Sequence, residues 1–215
     1  MVGRRRWTLG IGAVLAAGAV VSAVPALHTP LLRTAGWALV RNDPLGPADI
    51  IVITADSDGA GALEAADLVH AGIASRVAVF DDPPDSIDQE FLRRGLPYHD
   101  AAARFTQDLQ LLGVHTIERI PRPVAGTDDE GRVLPPWFDE RKFRSVVVVC
   151  TADHSRRVRR VLHRAMKDHP IRVAVHYSRY SRFDPDRWWE RRDGTRTAIV
   201  ELEKLALDIV RHPIS

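Results

Sequence analysis

Val146-Val147-Val148-Val149-Cys150 is an uninterrupted apolar, largely β-branched run, and Thr151-Ala152-Asp153-His154-Ser155-Arg156-Arg157 follows it at once. Such a run suits a strand buried on both faces, as in a parallel sheet covered by helices. In open α/β sheets the ligand crevice lies just beyond the carboxyl ends of such strands. The break into Thr151, Asp153, His154 and Arg157 therefore puts a hydroxyl, a carboxylate, an imidazole and a guanidinium where this kind of sheet carries its site.

The rest of the chain alternates in the same way. Strands are expected at Asp49–Thr54, Arg76–Phe80, Thr116–Ile120, Ser145–Cys150 and Ile171–His176. Gly59–Ala71 reads as a helix with Leu63, Ala66 and Val69 inward, closed by Gly72. A further helix begins with Asp85 or Ser86 as N-cap, and another spans His99–Leu112. Pro121–Pro136 reads as a loop and Trp137–Lys142 as a short helical stretch. Arg156–Met166 carries the apolar stripe Val158, Val161, Leu162, Ala165 and Met166. A last helix, Thr195–Arg211, is expected to turn Ile199, Leu202, Ala206 and Ile209 inward. The pattern predicts an α/β chain with a single Rossmann-like doubly wound, mainly parallel sheet of about five strands.

The N-terminus reads differently. Arg4, Arg5 and Arg6 precede a stretch, Trp7 to Leu32, without Asp, Glu, Lys or Arg. A helix crossing a bilayer needs roughly 20 apolar residues, and basic residues before such a run hold its N-terminus in the cytoplasm. The expected organisation is a basic cytoplasmic segment 1–6, a transmembrane signal-anchor 7–27, a connector 28–47 and an extracytoplasmic α/β domain 48–215. A cleaved signal peptide is the alternative, with a poor site at Val24-Pro25-Ala26. An exported chain whose only cysteine is Cys150 has no internal disulfide and depends on its core. With 45% apolar residues there is enough material for one. The net charge of +2 is too small to argue for nucleic acid, so none is expected as a partner.

The loops after the strands carry the candidate chemistry. Asp56, Ser57 and Gly59 follow the first strand and open a helix, where free N–H groups favour an anion. The glycine spacing there is not a dinucleotide fingerprint, and Ser57 or Asp58 also fits a plain N-cap. After the third strand, Thr127 and Glu130 fit a capping box, or alternatively set a hydroxyl and a carboxylate at the mouth of a pocket. Asp128, Asp129 and Glu130 in series leave a divalent cation open, though no spacing demands a metal and no cofactor is expected. After the fourth strand, His154 is a candidate acid or base and Arg157 a clamp for an anionic oxygen. The wider string Arg156, Arg157, Arg159, Arg160 and Arg164 reads as a solvated helix face, or one meeting anionic lipid headgroups. Tyr177 to Phe183, with Trp188 and Trp189, either lines a cleft or packs a lid.

Taken together, the membrane segment, Ala48-Asp49-Ile50-Ile51-Val52, Gly126-Thr127 with Glu130, Val146 to Thr151 with His154 and Arg157, then Trp188 and Glu201, resemble the YdcF-like family of SanA- and ElyC-type proteins. The resemblance covers roughly residues 45 to 212, and Thr-x-x-His-x-x-Arg after a strand is its most specific part. It implies a Rossmann-like domain, often exported, tied to envelope integrity or cell-wall synthesis, without an established reaction. By position it carries over Asp49, Thr127, Glu130, Thr151, His154 and Arg157 as the polar set of a cleft. The helix after the first strand departs from the family in having no arginine, and the loop before it is more acidic. That leaves open a different ligand or lost activity.

Three functional expectations follow. The first is a membrane-anchored envelope hydrolase or transferase acting on a small anionic, phosphate- or sugar-bearing or lipid-linked ligand. In it His154 and Glu130 are catalytic, and Asp56, Ser57, Gly59, Thr127, Thr151, Asp153 and Arg157 bind the ligand. The second is a non-catalytic binding or scaffold module of the envelope. The third is a nucleotide-type cofactor binder, S-adenosylmethionine for example.

Overall fold

The structure, a computed structural model, describes residues 25–98 and 100–213. Among them are five strands: β1 (Ile50–Ile53), β2 (Arg76–Phe80), β3 (Thr116–Ile120), β4 (Ser145–Cys150) and β5 (Arg172–Tyr177). All pair in parallel, in the order β3-β2-β1-β4-β5. The order reverses between β1 and β4, which makes their carboxyl ends the topological switch point. The seven helices among the described residues are α1 (Pro25–Trp37), α2 (Asp58–His70), α3 (Ser86–Arg93), α4 (Ala101–Leu111), α5 (Thr127–Arg141), α6 (Ser155–Ala165) and α7 (Arg192–Arg211).

Alternation along the buried strands builds two cores. Ile50, Val52, Val146 and Val148 face α5 and α6, meeting Leu134, Trp137, Phe138, Val158 and Leu162. Ile51, Ile53, Val147 and Val149 face α2 and α4, meeting Ala62, Ala65, Ala66, Phe105 and Leu109. Both faces of β1 and β4 are thus dry, which is why their sequences show no polar alternation. A third cluster packs Leu39, Val40, Phe183 and Trp188 against Ala198 and Leu205 of α7. Phe183 and Trp188 belong to this cluster, so the aromatic loop after β5 is packing. The Trp188 indole N–H donates to the carbonyl of Leu32 at 2.8 Å, tying α1 to the domain.

Several elements differ from expectation. Of the stretch Pro121–Pro136 expected as a loop, the part from Thr127 on is the first two-thirds of α5, which carries Pro135 and Pro136 inside it. Prolines in a helix interior cost about 3 kcal/mol or more. Here Leu134, Trp137 and Phe138 drive into the core around them, and tertiary burial overrides local propensity. In α2 the inward side is Gly61, Ala62, Glu64, Ala65, Ala66 and Leu68, while Leu63 is exposed. In α7 the buried positions are Ala198, Glu201, Leu205 and Asp208, so the inward face is shifted by about one residue from the apolar stripe. Ile199 and Ile209 point outward, because two buried places are taken by acids that the arginines of α6 neutralise.

Those arginines are therefore not a solvated face. Arg156 donates to the carbonyls of Ala38 and Val40, closing the end of the α1 segment. Arg159 grips Asp43, and Arg160 and Arg164 share Asp208. No helix among the described residues is long and apolar enough to cross a membrane. The expected anchor 7–27 falls, up to residue 24, outside the described residues.

Candidate functional site

β1 ends at Ile53 and β4 at Cys150, side by side, so the loops that follow meet at the switch point. The β1 loop brings Thr54 to Ser57, and the β4 loop brings Thr151 and a single 3-10 turn, Ala152–His154. Between these two residue groups, almost a hundred positions apart in sequence, the side chains close a charged cluster. His154 Nε2 lies 3.1 Å from Asp56 Oδ1, a charge contact whose angle falls short of a hydrogen bond. On its other side Nδ1 lies 3.0 Å from Thr151 Oγ1 and 3.4 Å from Asp153 Oδ2.

His154 is 2% exposed. Burial alone pushes an imidazole towards neutrality, but the flanking carboxylates of Asp153 and Asp56 outweigh it and hold the ring protonated, with a pKa of about 10. Asp56 is pushed the other way. Burial disfavours its charge, yet the imidazolium and the Thr54 hydroxyl bring it down to about 2. Its side chain remains 51% exposed, so water shares in that stabilisation.

Glu130 approaches from α5. Its Oε1 accepts the Ala55 N–H at 2.9 Å, fastening α5 to the β1 loop. Thr127 and Glu130 thus do not form a capping box: Gly126 is the N-cap, at φ 144°, and Asp129 accepts the Ala125 N–H. Buried to 2% exposure and facing the charge of Asp56, Glu130 holds its proton up to about 7. Asp56 and Glu130, whose charges act on each other across the Ala55 backbone, are thereby driven in opposite directions, a recurrent mark of acid–base sites.

Above the cluster opens a cleft of about 870 Å3 lined by Thr54, Ala55, Asp56, Thr127 and Arg157, among others. His154 and Glu130 do not line it. They lie beneath the floor, behind Asp56 and Ala55, and Asp56 is the member of the cluster that faces the ligand space. Thr127 is 3% exposed and its Oγ1 has no hydrogen-bond partner among the described residues. Arg157 lines the cleft wall, with Nε and Nη2 both donating to Glu201 Oε2 at 3.2 and 3.1 Å. Lys204 reaches the other oxygen of Glu201 at 2.6 Å.

The remaining expected residues are placed elsewhere. Ser57 is fully buried, its hydroxyl against Thr54 and the Val149 carbonyl. Gly59 is exposed with open space around it, whereas a Cβ on Gly61 would stand 2.6 Å from Ile53 and from Ser57. Gly61 is therefore the glycine that lets α2 close against β1. Asp49 lies at the amino end of β1, opposite the cleft, where its Oδ2 accepts the N–H groups of Arg144 and Ser145 at 2.6 and 2.9 Å. Cys150 is buried and its thiol pKa is raised by burial, the state of a packed hydrophobe. The run Asp128, Asp129, Glu130 does not converge: Asp129 pairs with Arg132 and Glu130 turns to Ala55. Among the described residues no three His, Cys, Asp or Glu side chains are grouped to share a metal ion.

Reading from sequence missed Lys204, Asp208 and Arg211 and named Glu201 only as part of the resemblance, without a role at the site. Their polar spacing of three and four along α7 was the available signal. No family model, curated protein or solved structure matches the chain.

Proposed function

We propose that this chain is a membrane-anchored envelope protein of the YdcF-like type, whose switch-point cleft binds a phosphate- or sugar-bearing ligand and acts on it as a hydrolase or transferase. One observation carries the reading: an ionised Asp56 faces a ligand-sized cleft, with a buried imidazolium behind it and a near-neutral carboxyl beside it. Asp56 is the group presented to the ligand. His154, protonated throughout the neutral range, fixes the charge and direction of Asp56 and does not itself exchange protons. Glu130, with its pKa near neutrality, is the group able to take up and return one.

The test is a thermal-shift and turnover screen of the full chain in detergent against sugar phosphates, nucleotide sugars, lipid-carrier phosphates and S-adenosylmethionine. A ligand at a hundredfold excess over its Kd adds about 2.7 kcal/mol of stability. Asp56→Asn should abolish the shift and leave the fold intact. A panel that shifts nothing, or a shift indifferent to Asp56→Asn, sinks the proposal. Binding without turnover of any ligand leaves a sensing or scaffold module.

A specific observation favours a second reading. Asp81 and Asp82 follow β2 and line the same cleft, where sheets of this strand order hold the ribose of a nucleotide. Preference of the wild type for S-adenosylmethionine over every sugar phosphate would select it.

A further inference from the structure

The cleft has two unlike walls. On the α7 side each carboxylate is outnumbered two to one by cations: Glu201 is held by Arg157 and Lys204, and Asp208 by Arg160 and Arg164. Arg211 adds a further cation on that wall, with no ion pair among the described residues. On the side of the β2 and β3 loops Asp82 and Asp128 line the cleft, also without an ion pair among the described residues, while Arg132 there is taken up by Asp129. Beside them the Thr127 hydroxyl is buried and has no partner among the described residues. Phe80, Phe105 and Leu207 lie between and give the cleft an apolar surface against which a ring can lie.

Resting on the reading of a phosphate- or sugar-bearing ligand, we infer that the ligand is a sugar phosphate ester, free or as the sugar-phosphate part of a nucleotide, bound in one direction. Its phosphate meets Lys204 and Arg211, and its hydroxyls meet Asp82, Asp128 and the Thr127 hydroxyl. Carboxylates repel a phosphate but accept hydrogen bonds from neighbouring hydroxyls, and charge-assisted bonds of this kind are the strong ones. A buried hydroxyl without a partner is costly, and a ligand hydroxyl restores the missing bond. The cationic wall suits the phosphate because its charge remains in excess after its own carboxylates are neutralised.

Equilibrium binding on the full chain in detergent tests this with four probes: glucose 1-phosphate, uridine 5′-monophosphate, inorganic phosphate and glucose. Two double variants are compared, Lys204→Gln with Arg211→Gln, and Asp82→Asn with Asp128→Asn. All four positions are exposed, so the fold tolerates them. The cation pair should weaken both esters and inorganic phosphate alike, by about tenfold or more, as expected for losing bonds to charged groups. The acid pair should weaken the two esters by about tenfold and leave inorganic phosphate unchanged or tighter, since its loss removes only hydroxyl contacts and repulsion. Tighter binding of one ester says whether the sugar phosphate is taken free or within a nucleotide. Esters that bind equally well or better without the acids overturn the inference, as does phosphate binding that ignores Lys204 and Arg211. If binding is lost in Asp56→Asn but indifferent to both double variants, this inference falls and the preceding one stands. Failure of every probe to bind overturns this inference and leaves the preceding one to the wider panel.

Discussion

The two helical layers flanking the switch point are held in opposite ways. The α2 and α4 layer rests mainly on small apolar contacts, with Ala62, Ala65, Ala66, Phe105 and Leu109 against Ile51, Ile53, Val147 and Val149, and a single buried acid, Glu64, tied to His176 and Arg179. The α6–α7 seam is closed by guanidinium–carboxylate pairs, Arg157 on Glu201 and Arg160 with Arg164 on Asp208, set above a small apolar stripe. An apolar layer is non-directional and fixes position through area alone. A charged seam is directional, and because it borders the cleft the same cations hold α7 and set the potential a ligand meets. On the α7 side charge serves both stability and recognition, whereas the α2 and α4 layer reaches the cleft through apolar core residues such as Ala102 and Phe105.

Breaking that contrast starts with the largest effects. Asp208→Ala leaves two arginines facing each other in a part-buried seam and should cost about 3–5 kcal/mol, the usual loss when one partner of a buried pair is removed. Leu109→Ala, on the apolar side, should cost about 2–5 kcal/mol through its cavity. The two should differ in salt response: urea midpoints of Asp208→Ala should recover in part with added salt, and those of Leu109→Ala should not. Equal salt responses would erase the distinction between the layers.

The pH dependence is next. Folded Glu130 keeps its proton up to about 7 and the unfolded chain releases it near 4.5, so its contribution to stability falls as pH rises between them. His154 adds stability that is complete below 6.5 and lost as pH rises through about 10. Both slopes run the same way, and the chain should lose a few kcal/mol between pH 5 and pH 9. Glu130→Gln should flatten the acidic half of a denaturation series and His154→Gln the alkaline half. A wild-type profile flat across that range contradicts the buried cluster. Asp56 acts only in strong acid, where its stabilisation is lost as pH falls from 3.8 through about 2.

The smallest effect sharpens the comparison most. Lys204 is half exposed, so Lys204→Gln should change stability by roughly 1 kcal/mol or less. Its ligand affinity should change far more than its denaturation midpoint, because its charge faces the cleft. A loss of stability without a loss of binding would make the seam purely structural.

Much of the apolar side was legible. The bounds expected for β2, β3 and β4 agree with the structure, and Asp85 caps α3 with a capping box, because these features depend on local sequence. The α6 stripe of Val158, Val161 and Leu162 was legible for the same reason. What stayed hidden involves partners distant in sequence. Glu130 satisfies a capping box on paper, but its carboxylate reaches Ala55, 75 positions away. The apolar stripe of α7 misled because burial there favours Glu201 and Asp208, acids that the neighbouring helix neutralises.

By itself the sequence determined that this is an α/β chain with a doubly dry strand followed at once by Thr151, Asp153, His154 and Arg157, since burial on both faces and the polar break are written in consecutive residues. Only the tertiary structure decided that β1 and β4 lie adjacent, that Asp56 faces the cleft while His154 and Glu130 sit behind it, and that the arginines of α6 turn inward. The reason is physical. A pKa, an ion pair or a cleft depends on which charges meet across space, and strand order rather than sequence spacing sets those distances.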